Sequence, residues 1–217
     1  MRIRASVLRL KDYAKMPWAN GKGVTYEMGR RDHGDSYGGA SPFLWRMSQA
    51  LLAPGLSEFS SIAGVDRCLT LIEGSGASLT VDSNTSELQL HQPFFFAADS
   101  LTMCDGPIDG GRNFNVMWDR KAFRATVDVV ENHVVVPKGA DVCFAVSLDG
   151  PLSLVVGNRS ILLAESGECA RFDYEPGQNR VCEQDRDWKE DGNIHVLEGR
   201  ACVASLIPQD AKDDGMP

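Results

Sequence analysis

The sequence predicts an all-β chain, on three observations. Branched residues cluster into strand-length segments, turn residues separate those segments at short intervals, and no long stretch repeats with a helical period. Many short strands of this kind form a sandwich or barrel. The 217 residues leave room for one large or two small domains.

Met1 to Leu8 reads as a first strand, because its apolar stretch is too short for an export signal. Leu10 to Ala14 has room for one short turn. Asn20-Gly21-Lys22-Gly23 is a glycine-hinged turn that aims an amide side chain. Trp45 to Ala50 is an alternating strand, with Arg46, Ser48 and Ala50 on one face and Trp45, Met47 and Gln49 on the other. Asn113 to Met117 alternates likewise and groups Asn113, Asn115 and Met117. Val127 to Val130, Val134 to Val136, Ser153 to Val156 and Ser160 to Leu163 are further strands. Turn chemistry falls at Asp105-Gly106-Pro107, Asp149-Gly150-Pro151 and Gly157-Asn158. The stretch after Ile207 is polar and is expected to fray.

An internal repeat runs through these elements. Leu71 to Gly74, Leu79 to Val81, Leu88 to Leu90 and Phe94 to Phe96 form one series. Ser147 to Gly150, Leu154 to Val156, Ile161 to Leu163 and Phe172 form the second. The predicted division is residues 1–120, residues 121–208 and a polar tail at 209–217, with the first strand free to join either half.

The net charge of -8 and the lack of a Lys/Arg run argue against a nucleic-acid partner. No apolar stretch approaches about 18 residues, which argues against a membrane span. Six cysteines are scattered without a CxxC pair and read as reduced, half-buried small residues, with the cytoplasm as the default address.

Ile72-Glu73-Gly74-x-Gly76, followed by Leu79 and Val81, resembles the centre of a cupin barrel. Two copies imply a bicupin, with two cupin-type jelly-roll β-barrels in one chain. The chain more specifically resembles the HutD/Ves family. The motifs are Trp18-x-Asn20-Gly21-x-Gly23-x-Thr25-x-Glu27, Trp45-Arg46-x-Ser48-x-Ala50 and Phe59-Ser60-x-Ile62-x-Gly64-x-Asp66-Arg67. Gly106-Pro107 and Asn113-Phe114-Asn115-Val116-Met117 complete them. The family's run of three glycines reads Gly21-Lys22-Gly23 here, which puts a lysine at or near the turn.

Most cupin enzymes hold a metal through histidines and a glutamate seven residues before the glycine of the Glu-Gly turn. Counting back from Gly74 lands on Arg67, and counting back from Gly150 lands on Cys143. His33, His91, His133 and His195 show no HxH or HxxxH spacing, so no metal or other cofactor is expected.

Swapping a cation-binding cluster for arginine keeps the cavity and reverses its preference. The candidate ligand-binding residues are Asn20, Arg46, Ser48, Arg67 and Asn115. Arg46 can clamp a carboxylate, Ser48 can donate beside it, and Asn115 can read an amide or a second oxygen. Three of them have a plainer alternative: Arg46 pairing with Glu27 or Asp66, Arg67 pairing with Asp66 or Asp99, and Asn20 serving only its own turn. Trp18 and Trp45 are more often core than stacking platforms.

The first functional reading is a protein that captures a small carboxylate or acyl-amino acid. The HutD resemblance implies a link to histidine catabolism, with formylglutamate-like metabolites as the anionic partner and regulation of flux as the role. A second reading is a metal-independent isomerase or hydrolase, with Glu27, Asp66 or one of the histidines as base. A third is a dimerising, stress-related structural protein, which leaves a homodimer open.

Overall fold

A computed structural model describes residues 2–18, 23–34, 39–137, 139–156, 159–175 and 193–209. Asn20, Lys22, Gly157-Asn158, Cys182 and the tail from Asp210 onward lie outside the described residues. The chain is all-β; among the described residues the one helical element is a 3-10 turn at Leu10–Asp12. It divides into two compact units, Lys11–Phe123 and the combination of Met1–Leu10 with Arg124–Pro217.

β1 (Arg2–Leu8) precedes the turn. The Lys11–Phe123 unit then runs β2 (Ala14–Pro17), β3 (Gly23–Arg31), β4 (Trp45–Leu52), β5 (Gly55–Glu58) and β6 (Val65–Glu73). It continues through β7 (Ser78–Val81), β8 (Asn84–Glu87), β9 (Pro93–Ala97), β10 (Thr102–Gly106) and β11 (Gly111–Asp119). Its sheets are ordered β2-β3-β4-β11-β6-β9 and β5-β10-β7-β8. Leu52, Leu69 and Leu71 of the first sheet meet Leu79 and Cys104 of the second in one apolar core.

The other unit carries β12 (Phe123–Val130), β13 (His133–Val134), β14 (Val142–Ser147) and β15 (Leu152–Val156). β16 (Arg159–Leu163), β17 (Cys169–Glu175), β18 (Ile194–Glu198) and β19 (Ala201–Pro208) follow. Its sheets are ordered β1-β17-β14-β19-β12 and β13-β18-β15-β16. β1 therefore belongs here, antiparallel to β17 from Arg2↔Glu175 to Leu8↔Cys169. The orders β4-β11-β6-β9 and β12-β19-β14-β17 correspond strand for strand, as do those of the two smaller sheets. The fold is thus internally duplicated, with β2 and β3 added to one copy and β1 to the other.

Several local expectations are corrected. Each unit is a pair of separate sheets around a core, with edge strands left in both, rather than one closed ladder. Val134 to Val136 pairs only through His133 and Val134. The Val136 amide instead donates to Asn193 Oδ1 at 3.3 Å, and Pro137 has no N–H to extend the ladder. Leu88 to Leu90 is not a strand; β8 lies earlier, set by a two-residue hairpin at Asp82 and Ser83, both with positive φ. Leu90 contributes only an isolated parallel bridge to Leu71. Asp105 and Gly106 still belong to β10, and the turn falls at Pro107 to Gly110, closed by a 2.9 Å backbone bond.

Candidate functional site

β4, β11 and β6 are neighbours, so the two-residue period lays their inward side chains out as a grid. Arg46 lies opposite Met117, which lies opposite Arg67. In the next row Ser48 lies opposite Asn115, which lies opposite Leu69. Arg46, Ser48, Arg67, Asn113 and Asn115 share the lining of a cavity of about 390 Å³ with Trp18, Thr25, Glu58 and Phe59. Trp18 is held in the wall by its indole N–H, which donates to Thr25 Oγ1 at 2.8 Å.

Arg67 is the least compensated group in this cavity. It is 7% exposed, and no carboxylate pairs with it among the described residues. Its Nε and Nη2 both donate to Asn115 Oδ1, at 3.0 and 2.5 Å. The guanidinium carbon lies 4.2 Å from the Phe59 ring centroid and 5.5 Å from that of Phe96. Burial pushes its pKa down to about 9, with the nearby Arg46 charge lowering it further against the opposing effect of Cys104. The acids expected to neutralise Arg67 are engaged elsewhere. Arg120 Nε pairs with Asp66 at 3.0 Å, and its Nη2 pairs with Asp99 at 2.7 Å. That hydrogen bond holds the Asp99 carboxyl below its usual range.

Arg46 behaves differently. Its Nε donates to Glu27 Oε2 at 2.7 Å, so the structural ion pair is realised for this residue. Ser48 is 2% exposed, and its hydroxyl has no protein partner among the described residues.

The amide polarity in the floor follows from Arg67. A guanidinium can only donate, so Asn115 must turn its oxygen toward Arg67. Its Nδ2 then donates to Asn113 Oδ1 at 2.5 Å. Asn113, fully buried, is left with an Nδ2 that has no acceptor. The floor is therefore rich in donors. The two-residue spacing groups Asn113 with Asn115 without marking it as a site residue, and the family motif contains Phe59, whose contact with Arg67 has no trace in local sequence.

Among the described residues no group of three or more His, Cys, Asp or Glu is arranged to hold a metal. The histidines are not all isolated, however: His133 and His195 are cross-strand neighbours. Among the described residues Cys68, Cys104, Cys143, Cys169 and Cys202 are buried and form no disulfide. Burial pushes the Cys104 thiol up to about 11 and that of Cys143 up to about 12, so neither is an ionised nucleophile at neutral pH.

Residues 10–188 match the HutD family across most of the chain. The chain belongs to the HutD family. It is 29% identical over 208 residues to an uncharacterised 21.2 kDa protein in the hutC 3' region of Pseudomonas putida, covering 93% of this chain and 96% of that one. It is 37% identical over 132 residues to protein Ves of Citrobacter koseri, covering 55% of this chain and 62% of Ves. HutD from Pseudomonas fluorescens SBW25, solved in a formate condition, superposes with a TM-score of 0.73 at 28% identity, covering 95% of this chain and all of that one. A cupin 2 conserved barrel domain protein from Leptotrichia buccalis, at 8% identity and a TM-score of 0.53, covers 86% of this chain and 89% of its own and bears on the fold alone. No helix among the described residues is long and apolar enough to cross a membrane.

Proposed function

We propose that this HutD-family chain captures a small carboxylate or acyl-amino acid in the cavity of its Lys11–Phe123 unit. The observation that carries the reading is Arg67, a buried guanidinium without an acidic partner among the described residues. A buried cation is costly unless something anionic joins it, and the floor around it offers further donors. Arg67 and Ser48 supply direct donors, and Asn115 orients Arg67. Arg46, already paired with Glu27, contributes field more than contact.

The hut-region relative and the HutD structure support a role in histidine utilisation, with formylglutamate among the ligands to test and the cytoplasm as the place of action. Two cupin-type jelly rolls are the finer architecture this reading adopts, supported by the duplicated strand order. The test is calorimetric titration with acetate, N-acetylglycine and formylglutamate at about pH 7.5. Saturable binding of at least one to wild type supports the reading. No heat from any of them at millimolar concentration refutes it.

A further inference from the structure

The smaller sheet of the unit formed by Met1–Leu10 and Arg124–Pro217 carries two histidines side by side. His133 on β13 lies directly opposite His195 on β18. Both are exposed, and their rings stack with centroids 6.1 Å apart and planes 24° apart. Among the described residues neither ring has a hydrogen-bond or ion-pair partner; each has only the other. β13 is two residues long and is joined to β18 by two register pairs, so these imidazoles sit on a lightly held edge.

Directly opposed strand residues bring their Cβ atoms to about 4.5–5.5 Å. Imidazole nitrogen binds a transition ion at about 2.0–2.1 Å, so two rings sharing one ion bring their centroids to about 5 Å. The observed separation is within about 1 Å of that, a gap that rotation of two exposed side chains closes. We infer that His133 and His195 form a two-point site for a divalent transition cation, with water completing its coordination. Neutral imidazole favours Ni, Cu and Zn over Mg or Ca. A bound ion links β13 to β18 by side chains as well as backbone. Protons compete with the ion for the imidazole nitrogens, so affinity falls as the pH is lowered. The site lies in the other unit and is independent of the carboxylate cavity.

The experiment is titration of the untagged full chain with nickel chloride, at about pH 7.5 and about pH 5.5. One ion binds at the higher pH, and binding is lost at the lower. His133→Gln and His195→Gln each lower the affinity at least tenfold, and His91→Gln leaves it unchanged. In the wild-type protein, paramagnetic broadening of ring resonances strikes His133 and His195 ahead of His33 and His91, which keeps the test independent of how the variants fold. Unchanged affinity in the two site variants, loss in His91→Gln, or broadening centred on His33 or His91 overturns the assignment.

Discussion

Replacing Arg67 with methionine separates a ligand-holding arginine from a structural one. Burial is the chief cause that brings the Arg67 pKa down from the ordinary arginine range to about 9. At about 1.4 kcal/mol per pKa unit, that corresponds to a cost on the order of 5 kcal/mol for keeping the group charged. The contacts with Phe59 and Phe96 return about 0.5–2 kcal/mol each, and the bonds to Asn115 about 1.5–3 kcal/mol in all. The gains and the cost nearly cancel. Methionine keeps the stem packed on the rings while removing the charge, at the expense of an unpaired Asn115 oxygen. Arg67→Met is therefore expected to stay within about 2 kcal/mol of wild type, well short of the roughly 3–5 kcal/mol lost when a buried ion pair is broken. Thermal melts with and without N-acetylglycine read both quantities. At a hundredfold excess over Kd a ligand adds about 2.7 kcal/mol to wild type, and none of that remains in the variant. A loss above about 3 kcal/mol, or a ligand shift that survives the substitution, refutes the reasoning.

Carboxylate affinity should be flat between about pH 6 and pH 8 and should fall above about pH 9, as Arg67 loses the proton that binding needs; equal affinity at about pH 10.5 contradicts this. In the ligand-free protein the Arg67 contribution has the opposite slope. Above about pH 9 the unfolded arginine holds a proton that the folded one has released, so wild type gains stability relative to Arg67→Met as pH rises, read from paired urea midpoints. Glu27→Gln releases Arg46 from its ion pair and should tighten carboxylate binding by on the order of 1 kcal/mol, roughly fivefold; weaker binding in a calorimetric titration counts against an anion-selective cavity. Gly106→Ala sets a Cβ 2.0 Å from the Ala53 carbonyl oxygen, so β10 must shift, and a urea midpoint should report a loss of about 3 kcal/mol or more.

Strand content, the duplication signal and one face of the grid were legible because each depends on a local period. Alternation alone puts Arg46, Ser48 and Ala50 together, and all three line the cavity. What the sequence could not show was pairing at a distance. Asp66 is adjacent to Arg67 in sequence, yet strand alternation points the two to opposite faces and Arg120 takes the carboxylate. His133 and His195 are separated by the whole β14–β17 series, so no spacing rule reports their contact. Leu88 to Leu90 looked like a strand because its apolar residues alternate, while the polar Asn84–Glu87 that does pair is held by the hairpin turn before it.

The duplication explains why one copy holds a cavity at this position. Arg67 on β6 lies opposite Phe96, and Cys143 on β14 lies opposite Phe172, so the two strands share a register. On the neighbouring strand, Asn115 and Asn113 correspond by that register to Val203 and Ala201. In one unit the three positions carry a cation and two amides that line a cavity. In the other they carry a thiol and two aliphatic groups within the apolar core beside Leu154 and Phe172. The thiol, pushed up to about 12 by burial, stays neutral and costs nothing to enclose. A guanidinium at Cys143 would find no amide to accept its N–H groups. Conversely, Val203- and Ala201-like residues around Arg67 would leave it with two aromatic faces and no acceptor. The arginine and the asparagines are therefore one unit of chemistry: Asn115→Leu alone should destabilise the protein more than Arg67→Met, and the double variant should recover most of that loss. If the two losses simply add in a thermodynamic cycle, the relay is not what holds the cation in place.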